Sequence, residues 1–266
     1  MQLLACPLCG APLTRDSASL VCAQQHRFDI AREGYVNLFP AHHRGSRNPG
    51  DEERMVVARR RFLDAGHYAP LCAALTETLT AACGRIDAAV DLGCGDGYFT
   101  ATLASVAAHT YGIDVSKPAI RAAAKRHASI AFVVASSRRL PLIDAAFDAA
   151  TAILAPFDSD IVRVLTNDGV LVRVSPGPEH LRALRDLLYA DARPHRRAPV
   201  QLENLAHATE RLVGFDFPTN PAERADLMAM TPLLYRTRND QRARALAPDH
   251  LTIEAGFWID VFRKQD

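Results

Sequence analysis

The stretch Val90-Asp91-Leu92-Gly93-Cys94-Gly95-Asp96-Gly97-Tyr98 limits what this chain can fold into more than any other segment. Three glycines at alternate positions separate an apolar run from a helix-forming one, the pattern of a tight turn leading out of a strand. Glycine lets the backbone pass close to a ligand in conformations that a side chain hinders, and in open α/β sheets such turns lie at the carboxyl ends of strands, where ligands bind. Asp114 closes the next apolar run about twenty residues on, placed to accept hydrogen bonds from ribose hydroxyls.

Two cofactors suit such a turn, a dinucleotide and S-adenosylmethionine. The chemistry of the loop separates them. Asp91 closes the strand and Asp96 lies inside the loop. Carboxylates facing a pyrophosphate are unfavourable, whereas a cationic aminoacyl group welcomes them. S-adenosylmethionine is the favoured reading, with NAD behind it and a mere packing turn last.

The flanking pattern alternates apolar runs with helical stretches and predicts a doubly wound parallel sheet. Strands are expected over 88–92, 110–113, 130–134, 147–153 and 170–175, with helices over 98–107, 117–126, 159–165 and 180–189. Further helices are expected over 52–63 and 68–83, and 207–217 and 251–262 supply the last strands. Ala135-Ser136-Ser137 and Leu154-Ala155-Pro156-Phe157 then fall on the same rim as Gly93 to Gly97, the latter suited to positioning a planar base.

The first 39 residues are different in kind. They are turn-rich and too short for a core of their own, but they carry Cys6-x2-Cys9-x12-Cys22-x3-His26. Three thiolates and an imidazole are the ligand set of a closed structural zinc site, whose binding replaces a missing hydrophobic core. All four positions are filled by protein, so a catalytic zinc is disfavoured. Cys72, Cys83 and Cys94 are scattered, and the six cysteines do not form a disulfide framework. The polar stretch over 40–51 reads as a linker. The expected division is therefore 1–39 as a zinc-binding domain, to which the resemblance given below adds RNA recognition, 40–66 as linker and helix, and 67–266 as the S-adenosylmethionine-dependent methyltransferase domain.

Among the 266 residues, Lys+Arg of 31 nearly balance Asp+Glu of 30, so no global field points to a nucleic-acid partner. Locally, the residues through Phe62 carry nine arginines against six acidic groups, among them Arg44, Arg47, Arg54, Arg59, Arg60 and Arg61. Phosphate contact is the expected use, a solvated helix face the competing one. No secretory signal and no membrane-length apolar run is evident, which places the protein in the cytoplasm without a membrane partner.

Taken in order, CPLCG, CAQQHRFDIAREGYVNLF, FLDAGHYAPL, VDLGCGDGYFT, GIDVSKPAI, VASSRRLP and MTP resemble the bacterial large-subunit rRNA guanine-N1 methyltransferases of the RlmA type over nearly the whole chain. The resemblance implies a Rossmann-like class I methyltransferase with a small N-terminal zinc-ribbon-like domain, acting on a hairpin of 23S rRNA as a homodimer. It also implies zinc ligation by Cys6, Cys9, Cys22 and His26, and cofactor contact by Tyr68, Gly95, Asp96 and His180, beside Gly93, Gly97 and Asp114 from the turn itself. Phe157 and Leu233 stand where the enterobacterial branch often has a cysteine and an aromatic residue, so base positioning differs in detail. Asp158 and Asp160 are candidate acceptors for the guanine N1 proton, with helix capping as their competing role.

Overall fold

The computed structural model describes residues 1–39, 50–231, 233 and 237–265. The expected linker lies outside the described residues except for Gly50 and Asp51, as do Arg44 and Arg47.

β1 (Thr14–Asp16), β2 (Ser19–Val21) and β3 (Arg27–Asp29) form a three-stranded antiparallel meander. β4 (Val36–Asn37) leads to α1 (Glu53–Asp64) and α2 (Ala69–Cys83), then the chain alternates through β5 (Ile86–Leu92), α3 (Tyr98–Ala104), β6 (Ala107–Asp114), α4 (Lys117–Arg126), β7 (Ala131–Val134), β8 (Phe147–Ile153), α5 (Asp160–Val164), β9 (Leu165–Pro176) and α6 (Arg182–Leu188). β10 (Leu205–Thr219), α7 (Pro221–Ala229), α8 (Asn239–Leu246) and β11 (Leu251–Lys264) complete it.

The eight-stranded sheet runs β10-β11-β9-β8-β5-β6-β7-β4. Pairings from β9 to β4 are all parallel, and β11 and β10 are antiparallel. The order reverses at β5, which has β6 on one side and β8 on the other, so its carboxyl end faces the crevice where such sheets hold ligands. β5 is buried on both faces apart from Asp87, as a central parallel strand must be.

The two faces are covered differently. Ala89, Val172 and Phe257 face a core completed by α2, α6 and residues of α7 and α8. Val90, Ile113 and Leu171 face a second core that includes Leu4, Leu13, Leu20 and Leu38 from the N-terminal segment with Ile161 and Val164 of α5. The first 39 residues are thus part of the layer that dries this face rather than a bead on a string. β4 pairs with β7, Leu38 N donates to Val134 O at 3.0 Å, and Ala5 N donates to Pro141 O at 2.9 Å. A two-residue strand carries too little period to be read from sequence.

Most expected elements appear within a few residues. The helix over 180–189 begins later, at Arg182, because Leu181 adopts φ +57°, and the helix over 159–165 ends early because Leu165 already belongs to β9. α7 and α8 were not expected. α7 carried a readable signal: Asn220 and Glu223 form a reciprocal capping box with Pro221 between them. Among the described residues no helix is long and apolar enough to cross a membrane.

Candidate functional site

Two constellations are built on this frame. In the first, the turn around Gly10 (φ +76°) returns Gly10 N to Cys6 O at 2.8 Å, bringing Cys6 and Cys9 to one side. A second turn after β2, with Gln25 at φ +62° and Gln25 N donating to Cys22 O at 2.9 Å, does the same for Cys22 and His26. The four ligand atoms lie within 4.8 Å of one another. Cys9 Sγ stands 3.7 Å from Cys22 Sγ, and His26 Nδ1 stands 3.5 and 3.4 Å from the Cys6 and Cys22 sulfurs. A zinc tetrahedron with bonds of about 2.3 Å to sulfur and about 2.0 Å to nitrogen has edges of about 3.8 and 3.5 Å. The donor set therefore fits zinc in number, chemistry and size, with His26 ligating through Nδ1.

The second constellation sits at the carboxyl end of β5. Gly93, Gly95 and Gly97 have φ of +68°, +56° and +84°. A Cβ on Gly93 would meet the Ala155 Cβ at 2.4 Å, so the loop after β8 lies directly against the turn. Asp114 is engaged by the main chain: its Oδ2 accepts from Gly95 N at 2.9 Å and its Oδ1 from Ser116 N at 2.7 Å. Asp91 is buried and accepts from Thr100 and Thr151 at 2.7 and 2.8 Å, tying α3 and β8 to the turn. Burial pushes its pKa up to about 6, against the pull of the two threonine hydroxyls.

Asp96 is 2% exposed, and its Oδ2 has no partner among the described residues. Burial raises its pKa, and Arg59 and Arg126 oppose the rise. A buried carboxylate oxygen left unpaired costs stability unless something cationic or hydrogen-donating meets it. The turn thus fits the aminoacyl end of S-adenosylmethionine.

The other expected cofactor residues are placed deeper. Tyr68 is buried, its ring edge-on to Phe62 at 5.4 Å and Phe257 at 5.3 Å. His180 also packs on Phe257, with ring centroids 4.5 Å apart, and its Nδ1 is buried and unpartnered among the described residues. Burial, with His195 and Arg185 nearby, lowers its pKa to about 3, so it is a neutral imidazole. Phe257 thus links Tyr68 and His180.

Of the two acceptor candidates, Asp160 is bonded within the chain. Its Oδ2 accepts from Leu140 N at 2.6 Å, and Arg163 grips both oxygens at 2.9 Å, holding its pKa low. Those bonds make it a brace between α5 and the strand-end loop, and they take three of the roughly four lone-pair sites of its carboxylate. Asp158 is exposed, and among the described residues its side chain accepts only from its neighbour Ser159. Neither caps the helix, since Ser159 holds the N-cap position. Leu154, 44% exposed with φ +55°, and exposed Pro156 form the apolar part of this rim.

The arginine run on α1 was expected to face phosphate. Its members pair within the chain, Arg59 with Asp51, Arg60 with Asp64 and Arg61 with Asp226, while Arg60 and Arg61 stay exposed to solvent. Asp51 and Arg59 stand beside the glycine turn, and nothing in their sequence spacing relates them to it.

Comparisons with known proteins agree with both constellations. Residues 4–47 match the family described as "RlmA, N-terminal", and residues 89–169 match "Methyltransferase domain". The chain is 39% identical over 194 residues to the 23S rRNA (guanine(748)-N(1))-methyltransferase of Streptomyces fradiae, covering 71% of this chain and 68% of that one. It is 31% identical over 257 residues to YxjB of Bacillus subtilis (strain 168), provisionally named a 23S rRNA (guanine-N(1)-)-methyltransferase, covering 90% and 89%. Among solved structures, YcgJ of Bacillus subtilis aligns with a TM-score of 0.46 at 16% identity, over 75% of this chain and 100% of that one.

Proposed function

Since the chain belongs to the RlmA-type 23S rRNA (guanine-N1)-methyltransferases, we propose that its N-terminal zinc module and the rim around Gly93–Gly97 together hold one guanine of a large-subunit rRNA hairpin for methylation at N1. The observation that carries this reading is the buried, unpaired Asp96 oxygen inside a glycine turn at the switch point of the sheet.

Bound S-adenosylmethionine supplies an electrophilic methyl on a sulfonium. For guanine N1 to accept that methyl its proton would have to leave, so the chain must orient the base and take the proton. Residues of the chain supply position and a proton path. Gly93 and Gly95 let the backbone meet the donor closely, and Asp114, fixed by Gly95 N and Ser116 N, presents its remaining lone pairs to ribose hydroxyls. Leu154 and Pro156 offer an apolar edge on which a planar base can rest. Positioning of this kind supplies most of the acceleration. We assign the N1 proton to Asp158, an exposed carboxylate following the Leu154–Pro156 rim, and Asp158→Asn tests it: kcat should fall at least about tenfold with donor affinity unchanged, and full turnover sinks the assignment.

We read residues 1–39 as the zinc-binding module that recognises RNA, 40–66 as the connection, and 67–266 as the catalytic domain. The same reading makes the enzyme a cytoplasmic homodimer, which light scattering of the purified protein checks.

The test of the function is incubation with radiolabelled donor and 23S rRNA from a strain lacking this methylation, followed by primer extension. A single stop at one guanine of a large-subunit hairpin supports the reading. Donor binding without incorporation into rRNA overturns the substrate.

A further inference from the structure

Asp51 and Arg59 come from the segment before α2, yet they stand over the cofactor turn. Arg59 Nη1 is ion-paired with Asp51 Oδ2, and Nη2 donates to Met230 O at 3.3 Å. A Cβ added to Gly95 would stand 3.1 Å from Arg59 Nη1, so the guanidinium lies against the face of the turn that the missing side chain leaves open. Asp51 is itself anchored: its carbonyl accepts from Ser116 Oγ at 2.7 Å, next to the residues that follow Asp114. Gly50 packs there so closely that a Cβ would meet Ser116 Cβ at 2.9 Å. The pair therefore spans the groove from the glycine turn to the end of β6, and its charge reaches Asp96 and Asp114.

Two of the five guanidinium N–H groups are engaged by described residues. Close by, Asp96 Oδ2 is buried and has no partner among the described residues. An unmet acceptor beside an arginine with donors to spare is complementary to a zwitterion: ammonium to the carboxylate, carboxylate to the guanidinium. A lone structural ion pair would explain Arg59 but not the orphaned oxygen beside it.

We propose that Arg59, oriented by Asp51, binds the α-carboxylate of the methyl donor and makes the turn selective for a donor carrying an intact amino-acid end. This rests on the assignment of S-adenosylmethionine to the turn.

The test is calorimetric titration of the full zinc-loaded chain with S-adenosylmethionine and with decarboxylated S-adenosylmethionine. Wild-type protein should prefer the intact ligand by about 10- to 100-fold, the span expected for a charge-assisted pair. Arg59→Ala should lose most of that preference while binding the decarboxylated ligand within about threefold of wild type, which also shows the variant to be folded. Arg59→Lys, keeping the charge but not the fork, should recover part of it. Equal weakening for both ligands would make Arg59 a mere staple of α1 and overturn the proposal, as would no change for either. A variant that fails to fold is replaced by Arg59→Gln, judged by the same ratio. If wild-type protein binds neither ligand, it is the cofactor assignment that fails.

Discussion

The zinc module and the glycine turn are both ligand sites, but they are assembled over very different distances along the chain. Cys6, Cys9, Cys22 and His26 lie within 21 consecutive residues, and two local turns suffice to bring their donor atoms within 4.8 Å. The cofactor rim draws Asp51, Arg59, Asp96, Asp114 and Ala155 from five different elements and loops. Local spacing is legible as ligand geometry, whereas a rim exists only once the sheet has formed. The module is nevertheless not independent of the sheet, because Leu4, Leu20 and Leu38 share a core with Val90 and Ile113.

The largest expected effect comes from removing the metal. Cys22→Ser should abolish zinc binding, a loss on the order of 10 kcal/mol of folding free energy for such sites, read as absent zinc by elemental analysis and a lowered Tm. If the two sites are separable, donor affinity in the surviving fold stays within about threefold; loss of donor binding together with the metal breaks the comparison.

Shared packing comes next. Leu38→Ala should cost about 2–5 kcal/mol, measured by urea unfolding. A single transition moved to lower urea sharpens the picture of one core under both sites, and two separated transitions would return the module to an independent bead.

The turn itself is sterically committed. Gly93→Ala puts a methyl 2.4 Å from the Ala155 Cβ at φ +68°, and strain of about 1–3 kcal/mol should weaken donor binding tenfold or more. Ala155→Gly in the same chain should restore part of that loss, since it relieves the collision but not the backbone; no rescue would mean the collision is not the cause.

The smallest effect is electrostatic and depends on pH. Asp91 ionises at 3.8 in its ordinary state and at about 6 when folded, so the native state holds the proton longer. Stability from this group is full below pH 3.8 and is lost as pH rises through 6. Asp91→Asn should raise Tm at pH 7.5, by about 1–3 kcal/mol in stability, and have little effect near pH 4. A gain independent of pH would assign the effect to packing.

Much of the frame was readable. The limits of β8 and α4 match the expected residues, and Asn220 with Glu223 signalled α7 to anyone testing for a capping box. Asp160 shows what was not readable: nothing in its sequence position signals that Arg163 and Leu140 N grip its carboxylate. The ion pairs of the α1 run with distant residues, Arg59 with Asp51 and Arg61 with Asp226, likewise leave no trace in local spacing.

By itself the sequence determined the zinc ligand set, the glycine turn with its acidic neighbours and the alternating α/β pattern, because each is encoded in spacings shorter than one supersecondary unit. Only the tertiary structure decided that the zinc module dries one face of the sheet and that Arg59 meets Gly95. Such partners are separated by tens of residues, and sheet register and the packing of covering layers, to which short-range patterns are blind, bring them together.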